Sequence, residues 1–456
     1  MSFTYKGIIE GFYGEPWTMD ERLDMIRFMA KHKYNTYVYA PKDDSYHREL
    51  WREPYPEQAL AELVQLIDSC RAHDVDFVFS VSPGLSIVYS DETDLNLLVQ
   101  KFGLLSEQGV NTFGLFLDDI PFELVHEQDK ANYKSLAEAQ SDLIAKTYAR
   151  LKALDERNHL IICPTLYHGD GDHAYVRELG ERVAPEIDIF WTGVDVCARA
   201  IREDEAQVLT NIFKRPPLYW DNFPVNDAAM THLLHIGPYI NRDPHLPAVS
   251  RGIILNPMNQ AEASKIPLAT AADYLNDPCG YDPQLSYVNA VAEIAGDDDF
   301  LPVWTFCQHS LYYNLKEQPH TPLGTLVDAY LRERRAADAD AQETSALGVG
   351  TQENGAAGGG DHYVRLYAHL KGMDSAAKLI VTGRLQNERL AQNLKPWAEQ
   401  LQRVSQFGLQ LLDADRRGES VAPLAAQMEE LADTTHEVAG DHLQRLYEAI
   451  EGAAAE

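Results

Sequence analysis

Cysteine is scarce in this sequence of 456 residues and shows no pairing pattern. The five cysteines are scattered, odd in number and never spaced as Cys-x-x-Cys; they are Cys70, Cys163, Cys197, Cys279 and Cys307. Neither a disulfide framework nor a zinc knuckle is indicated. A reducing compartment, the cytoplasm, is therefore the predicted location.

Long hydrophobic runs and excess positive charge are missing as well. No apolar stretch reaches the length of a membrane span, and Met1 to Glu10 lacks the charged-then-apolar pattern of a secretory signal. Acidic residues outnumber basic ones by 70 to 39, which gives a formal charge of −31. A field of that sign repels phosphate backbones. We therefore expect neither nucleic acid nor a membrane as a partner.

Eight short apolar segments, separated mostly by amphipathic helical ones, fill the first part of the chain. The predicted strands are Thr4 to Gly11, Thr36 to Ala40, Val75 to Val81, Thr112 to Leu117, His159 to Cys163, Ile187 to Trp191, Pro217 to Tyr219 and Gly252 to Leu255. Eight alternating units predict an α/β fold closed into a (β/α)₈ TIM barrel. An open doubly wound sheet is the alternative, but Gly11-Phe12-Tyr13-Gly14 misses the dinucleotide fingerprint.

The pattern changes after the eighth unit, where strands give way to helices. We predict a catalytic barrel over residues 1–277 and an α-helical domain over residues 278–456. Its expected helices are Leu285 to Ala295, Phe300 to Tyr313, Leu323 to Arg334, and three more from His362 onward, the final one carrying Leu424, Leu431, Val438, Leu446 and Ile450. Residues 336–360 have almost no large apolar side chain and are interpreted as a flexible loop. The apolar stripes of the last helices are typical of bundle core, and a homodimer through this domain stays open.

Polar and aromatic residues follow the predicted strands at the end where function gathers in such a barrel. In Gly114 to Pro121, largely apolar residues run into the adjacent carboxylates Asp118 and Asp119, and Pro121 ends the strand. Buried carboxylates are costly unless they are paired, so we place this pair facing a wet cleft. The other strand ends and their loops supply Gly11, Tyr13, Lys42, Tyr167, Thr192, Trp220, Asn222, Asp227 and Asn256. Such a mixture is typical of a sugar site.

The adjacency of the two aspartates constrains the chemistry. Neighbouring residues on a strand point to opposite faces, so Asp118 and Asp119 share a site only where the chain bends. Side by side, they cannot straddle a sugar as the two carboxyl groups of most glycosidases do. We therefore expect one to hold the substrate's own amide as an internal nucleophile and the other to protonate the leaving oxygen. Their mutual repulsion is expected to raise one of the two pKa values.

Seven segments carry a resemblance to a known family. They are Glu10 to Trp17, Tyr39 to Asp44, Leu117 to Ile120, Cys163 to Tyr167, Trp191 to Gly193, Trp220 to Asn222 with Asp227, and Asn256-Pro257. In this order, and through the whole barrel, the chain resembles glycoside hydrolase family 84, the β-N-acetylglucosaminidases.

The resemblance implies a retaining exo-glycosidase that removes terminal β-linked GlcNAc from a glycoprotein, glycopeptide or small glycoside, without metal or cofactor. Asp118 would orient the 2-acetamido group, whose oxygen attacks the anomeric carbon to give an oxazoline. Asp119 would act as general acid and then as general base. The residues implied in binding the sugar and its acetamido group are Gly11, Lys42, Tyr167, Trp220, Asn222, Asp227 and Asn256. Leu166 departs from the family, in which glutamate often precedes the tyrosine, and this affects the contacts expected there.

Three other functions stay open on the sequence. One is a lyase that holds a divalent cation on four carboxylates, Asp43, Asp44, Asp118 and Asp119. No His-Glu-x-x-His or comparable spacing supports a metal, and His47, His168 and His173 are interpreted as surface or supporting residues. A hyaluronidase-like endo-glycosidase would require an open cleft. A GlcNAc-binding protein without turnover is the non-enzymatic alternative, against which the intact aspartate pair argues.

Overall fold

The computed structural model of the chain describes residues 2–311, 321–346, 360–432 and 435–454. Contacts divide the chain into two compact units, residues 1–228 with 238–287, and residues 229–237 with 288–456. The first unit contains the strands, and the second contains helices. The domain limit expected at residue 277 stays a prediction. No helix in the described part of the chain is both long enough and apolar enough to cross a membrane.

Eight parallel strands close into a barrel in the first unit, which confirms the predicted fold class. They are β1 (Tyr5–Glu10), β2 (Thr36–Tyr39), β3 (Asp76–Val81), β4 (Thr112–Phe116), β5 (His159–Cys163), β6 (Asp188–Trp191), β7 (Leu218–Asp221) and β8 (Gly252–Leu255). Each strand pairs with the next in sequence, and β8 pairs with β1, so the sheet has no free edge. The carboxyl ends of all eight strands therefore open on one face of the barrel.

Helices connect the strands, as the alternating pattern predicts. They are α1 (Met19–Lys31), α2 (Glu57–Ala72), α3 (Glu92–Ser106), α4 (Glu127–Asn132), α5 (Leu136–Leu154), α6 (Ala174–Arg182), α7 (Glu203–Phe213), α8 (Leu246–Val249) and α9 (Ala261–Asn276). The capping box expected at Thr18 and Glu21 begins α1. The sequence pattern indicates one helix from Ala131 to Leu154, but two are present. Ser135 begins a new helix, α5, because its hydroxyl accepts a hydrogen bond from the backbone N–H of Glu138 as an N-cap.

One apolar cluster receives residues from every strand and fills the barrel interior. Its members are Ile9, Val38, Ala40, Val78, Phe116, Ile161, Cys163, Phe190, Leu218, Trp220 and Ile254. The Trp220 ring packs at 5.6 Å from Phe116 and 5.4 Å from Phe190, centroid to centroid. Burying a phenylalanine side chain contributes about 2 kcal/mol to the free energy of unfolding. The packed rings therefore hold the carboxyl ends of their strands in place.

Strand β7 is longer than its sequence pattern indicates. The predicted strand ends at Tyr219, whereas the observed one continues through Trp220 and Asp221. Successive strand residues face opposite sides. Trp220 accordingly joins the interior cluster, while Asp221 turns outward to the buried guanidinium of Arg242.

The second unit contains seven helices among its described residues, of which α10 begins in the first unit. It also contains a short 3₁₀ turn, Ala422–Leu424, and most of another, Ala228–Met230. The helices are α10 (Pro283–Ala295), α11 (Phe300–Cys307), α12 (Pro322–Ala346), α13 (Asp361–Val381), α14 (Glu388–Arg417), α15 (Ala425–Ala432) and α16 (His442–Ala454). The segment expected to form one final helix is divided between α15 and α16. Ala439 and Gly440, both with φ near +60°, turn the chain before α16 begins.

Two other sequence expectations in this unit differ from the structure. Helix α11 ends at Cys307, earlier than the predicted Tyr313, and residues 312–320 lie outside the described residues. The loop predicted for residues 336–360 overlaps the end of α12, which continues to Ala346. Of the remainder of that predicted loop, residues 347–359 lie outside the described residues.

Candidate active site

The two adjacent aspartates lie just beyond the carboxyl end of β4. The side chain of Asp118 is 6% exposed, whereas that of Asp119 is 31% exposed. The backbone of Asp119 adopts φ +53°, a left-handed conformation that is uncommon for a residue other than glycine. This turn supplies the bend that the sequence requires, because both carboxylates reach the same lysine. One carboxylate therefore lies at the base of the site and the other at its mouth.

Lys42, from the loop after β2, joins the two carboxylates. Its Nζ lies 2.5 Å from Asp118 Oδ2 and 3.7 Å from Asp119 Oδ2. Burial alone would lower the pKa of Lys42, but Asp118, Tyr13 and Asp119 outweigh burial and raise the pKa above its ordinary value. The lysine is therefore charged, and it balances the carboxylate at the base of the site.

Asp118 has one oxygen bound and one open. Its Oδ2 accepts the hydrogen bond from Lys42, whereas its Oδ1 is buried and has no hydrogen-bond partner among the described residues. Buried acceptors are nearly always satisfied, because an unpaired one costs roughly 1–3 kcal/mol. The buried, unpaired oxygen of Asp118 can therefore accept one further hydrogen bond.

Asp119 is surrounded by donors at the mouth of the site. The hydroxyl of Tyr13 donates to Oδ2 at 2.7 Å, and the hydroxyl of Tyr167 donates to Oδ1 at 2.9 Å. Burial would raise the pKa of Asp119, but Lys42, the two tyrosines and Arg48 together hold it below its ordinary value. The expectation that repulsion raises a pKa is therefore wrong for Asp119. Adjacent positive charge and hydrogen bonds outweigh burial.

Arg48 is a site residue that the sequence reasoning missed. It is 9% exposed, and its guanidinium donates to the Tyr13 hydroxyl at 2.9 Å and to the Asp119 carbonyl at 3.3 Å. No short motif marks it, because its contacts lie 35 and 71 residues away along the chain. The relevant sequence observation is that it shares the loop after β2 with Lys42.

A second group of predicted residues forms a connected amide cluster. Asn222 Oδ1 accepts hydrogen bonds from Trp220 Nε1 at 3.0 Å and from Asn256 Nδ2 at 2.9 Å. Asn256 Oδ1 in turn accepts from the Gly11 backbone N–H at 3.3 Å. A Cβ atom on Gly11 would lie 2.5 Å from the Trp220 ring, so only glycine permits this approach. The cluster fixes the Trp220 ring, which lies 5.7 Å from Lys42 Nζ.

Asp227 and Thr192 complete the set of predicted residues. Asp227 Oδ2 accepts from the backbone N–H of Tyr13 at 2.8 Å, and burial raises the pKa of this carboxyl. Thr192 is buried, and its hydroxyl bonds to the carbonyls of Tyr167 and Asp195. Thr192 thus contacts the loop that carries Tyr167, while Asp227 is joined to the aspartate pair through Tyr13.

The carboxylates named for a cation-dependent lyase do not gather into a ligand set. Asp44 accepts hydrogen bonds from Tyr39 and Tyr55, while Asp118 is bound to Lys42. In the described part of the chain, one group of three residues has metal-ligand geometry, and it lies elsewhere, at Glu203, Asp243 and His245. His47, which was expected at the surface or in support, is fully buried, and its Nδ1 donates to the Ser80 carbonyl.

Two carboxylates beside aromatic and amide groups, at the strand ends of a (β/α)₈ barrel, fit the class of glycoside hydrolases. A sequence model of the β-N-acetylglucosaminidase family matches residues 6–307. The chain therefore belongs to the β-N-acetylglucosaminidase family, glycoside hydrolase family 84, as the resemblance implies.

Known proteins of this family extend the comparison. The protein O-GlcNAcases of Rattus norvegicus and Mus musculus are each 34% identical over 274 residues, which is 59% of this chain and 29% of each relative. The chain thus matches less than a third of the length of these relatives. An O-GlcNAc hydrolase of Thermobaculum terrenum, solved as a mutant, is 35% identical with a TM-score of 0.89, covering 99% of this chain and 95% of that one.

Proposed function

We propose that this chain is a retaining exo-β-N-acetylglucosaminidase that acts through an oxazoline formed by the substrate itself. The observation that carries the proposal is the open Oδ1 of Asp118, whose other oxygen is held by Lys42. A 2-acetamido N–H is the donor that this oxygen lacks. Its hydrogen bond to the carboxylate pushes electron density toward the acetamido oxygen, which makes that oxygen a better nucleophile.

The reaction then proceeds in two displacements. The acetamido oxygen bonds to the anomeric carbon as the bond from that carbon to the leaving oxygen breaks, and Asp119 gives its proton to the leaving oxygen. Water next attacks the anomeric carbon, Asp119 takes a proton from the water, and the oxazoline opens. Two inversions give retention of configuration. The exposure of Asp119 and the burial of Asp118 support this division of roles.

Asp119 must be protonated for the first displacement, although its surroundings favour the carboxylate. A bound sugar and its leaving group exclude water from the mouth of the site. Loss of water disfavours the charged form and raises the pKa of Asp119 in the complex. The donors Tyr13 and Tyr167 then favour the ionised form again in the second displacement, when Asp119 acts as base.

The substrate is a terminal β-linked GlcNAc carried by a protein hydroxyl, a glycopeptide or a small glycoside. Trp220 and Tyr167 would line the acetamido pocket, and the residues proposed to bind the sugar are Gly11, Tyr13, Lys42, Thr192, Asn222, Asp227 and Asn256. Their placement around the aspartate pair supports this assignment. The relatives named O-GlcNAcase and O-GlcNAc hydrolase support the substrate class.

A matched pair of substrates tests the proposal. We expect turnover of 4-nitrophenyl β-GlcNAc and, on the equivalent β-glucoside with a 2-hydroxyl group, a rate lower by at least about 10³-fold, because the internal nucleophile is missing. Proton NMR of the first product should show the β-anomer before mutarotation. An α-anomer as first product, or equal rates on the two substrates, would refute substrate-assisted retention.

A further inference from the structure

Arg48 is an unusual arginine because its guanidinium is buried without a carboxylate partner. Its side chain makes no ion pair within 4.0 Å among the described residues, and its Nε has no hydrogen-bond partner there. Asp118 and Asp119 compensate this charge only from beyond ion-pair distance, from where they help to raise the pKa of Arg48. Burying a charge without a direct partner is costly. Because the fold keeps this costly group next to the aspartate pair, we look for its role in the site.

The two contacts of Arg48 converge on Asp119 from different sides. One N–H group donates to the carbonyl oxygen of Asp119, whose backbone has the left-handed φ of +53°. The orientation of that peptide decides where the Asp119 carboxylate points. The other contact is to the Tyr13 hydroxyl, which lies 2.7 Å from Asp119 Oδ2.

The contact with Tyr13 also fixes the direction of a proton. A phenol has one hydrogen to donate, and Arg48 can only donate. The Tyr13 oxygen must therefore accept from Arg48, and its own hydrogen points to Asp119. The guanidinium thus polarises the phenol and strengthens its hydrogen bond to the carboxylate.

We propose that Arg48 is the positioning residue of the acid/base carboxyl, holding the Asp119 turn and orienting the Tyr13 hydroxyl that serves it. The proposal rests on the proposed function, because it assigns Arg48 to the residue that exchanges the proton. Arg48 itself touches neither the sugar nor the reacting atoms in this role. The charged or titratable groups around Asp119 are Tyr13, Lys42, Arg48, Asp118, Cys163, Tyr167 and Asp227.

The test compares leaving groups in Arg48→Gln and the unaltered protein. We expect kcat/KM on an alkyl β-GlcNAc, which needs protonation, to fall by about 30-fold, and on a dinitrophenyl β-GlcNAc by less than about 3-fold. The basic limb of the kcat profile on the alkyl substrate should move up by roughly half a pH unit, because a group that favours the ionised form is gone. Arg48→Lys, which keeps the charge, should recover part of both effects.

Arg52→Gln is the matched control from the same loop. Arg52 makes two 2.6 Å contacts with Asp94, away from the aspartate pair. Arg52→Gln should lower the melting temperature. It should change neither the ratio of kcat/KM on the two substrates nor the position of the basic limb of the kcat profile. An equal loss on both substrates for Arg48→Gln, with an unshifted limb, would overturn the positioning role.

Asp119→Asn separates this inference from the proposed function. If Asp119→Asn lowers kcat/KM equally on the alkyl and the dinitrophenyl β-GlcNAc, the acid/base assignment fails and the proposed function fails with it. If Asp119→Asn is selective for poor leaving groups and Arg48→Gln is not, the role of Arg48 alone is rejected.

Discussion

At two strand exits, the carboxyl ends of β4 and β7 on the same face of the barrel, an aspartate is buried beside a cation. At one exit both carboxylate oxygens accept hydrogen bonds, and at the other only one does. At the end of β7, Asp221 accepts from Arg242 on both oxygens, at 2.6 and 2.8 Å, and from the Tyr239 hydroxyl at 2.6 Å. Beyond β4, Asp118 is bound by Lys42 on one oxygen, and the other oxygen is open. The closed exit stabilises the fold. On the proposed function, the exit beyond β4, here called the open exit, keeps an acceptor for the substrate, at a cost in stability.

Removing the charge at the open exit should have the largest effect on function. We expect Asp118→Asn to lower kcat by about 10³-fold on every β-GlcNAc substrate, because the acetamido group loses its anionic acceptor whatever the leaving group. Stability should change little, since Lys42 still has the Asp119 carboxylate at 3.7 Å. Steady-state kinetics and calorimetry on the same preparation measure both. If kcat fell only on substrates with poor leaving groups, the roles assigned to Asp118 and Asp119 would have to be exchanged.

The same substitution at the closed exit should act on stability instead. Asp221→Asn leaves the Arg242 guanidinium buried without its carboxylate, and both side chains are only 1% exposed. Breaking such a pair costs about 3 kcal/mol. Denaturant unfolding should show this loss, while activity per folded molecule stays near that of the unaltered protein. If Asp118→Asn destabilised the chain more than Asp221→Asn does, the contrast between the two exits would be wrong.

Asp119 lies at the mouth of the open exit, and its effect should depend on the substrate. We expect Asp119→Asn to slow hydrolysis of an alkyl β-GlcNAc by about 10²-fold and of a dinitrophenyl β-GlcNAc by a few-fold, because a good leaving group departs without a proton. The slope of log kcat/KM against leaving-group pKa measures the difference. An unchanged slope would remove Asp119 from proton transfer.

The barrel and most of its rim could be predicted because their signals are local. An apolar run ending in polar residues marks each strand exit, so the sequence alone assigns the adjacent carboxylates and Lys42 to one face of the barrel. The helical unit was harder to predict. Ala439 and Gly440 interrupt an apolar stripe that otherwise indicates one final helix, and the stripe by itself does not reveal such a turn.

The features that separate the open exit from the closed one are properties of the folded chain. Whether an aspartate carboxylate accepts one hydrogen bond or three depends on residues brought together by the loops, such as Arg242, which lies 21 residues from Asp221. The direction of the Asp119 pKa shift could not be predicted from the sequence for the same reason. The shift is the balance of burial against four groups from three loops, and the sign of such a balance requires their distances.

Tyr167 offers the finest test of the open exit, because it contributes one hydrogen bond to Asp119. Its hydroxyl stabilises the carboxylate form, so Tyr167→Phe should raise the pKa of Asp119 toward its ordinary value. A general acid must be protonated, and the basic limb of kcat on a poor leaving group should therefore move to higher pH, by roughly half a unit. Tyr55→Phe, which removes a hydroxyl bound to Asp44 outside the pair, is the matched control and should leave the limb unmoved. A shift to lower pH in Tyr167→Phe would mean that the phenol favours the protonated acid, and the proton would then have to reach the leaving oxygen by another route.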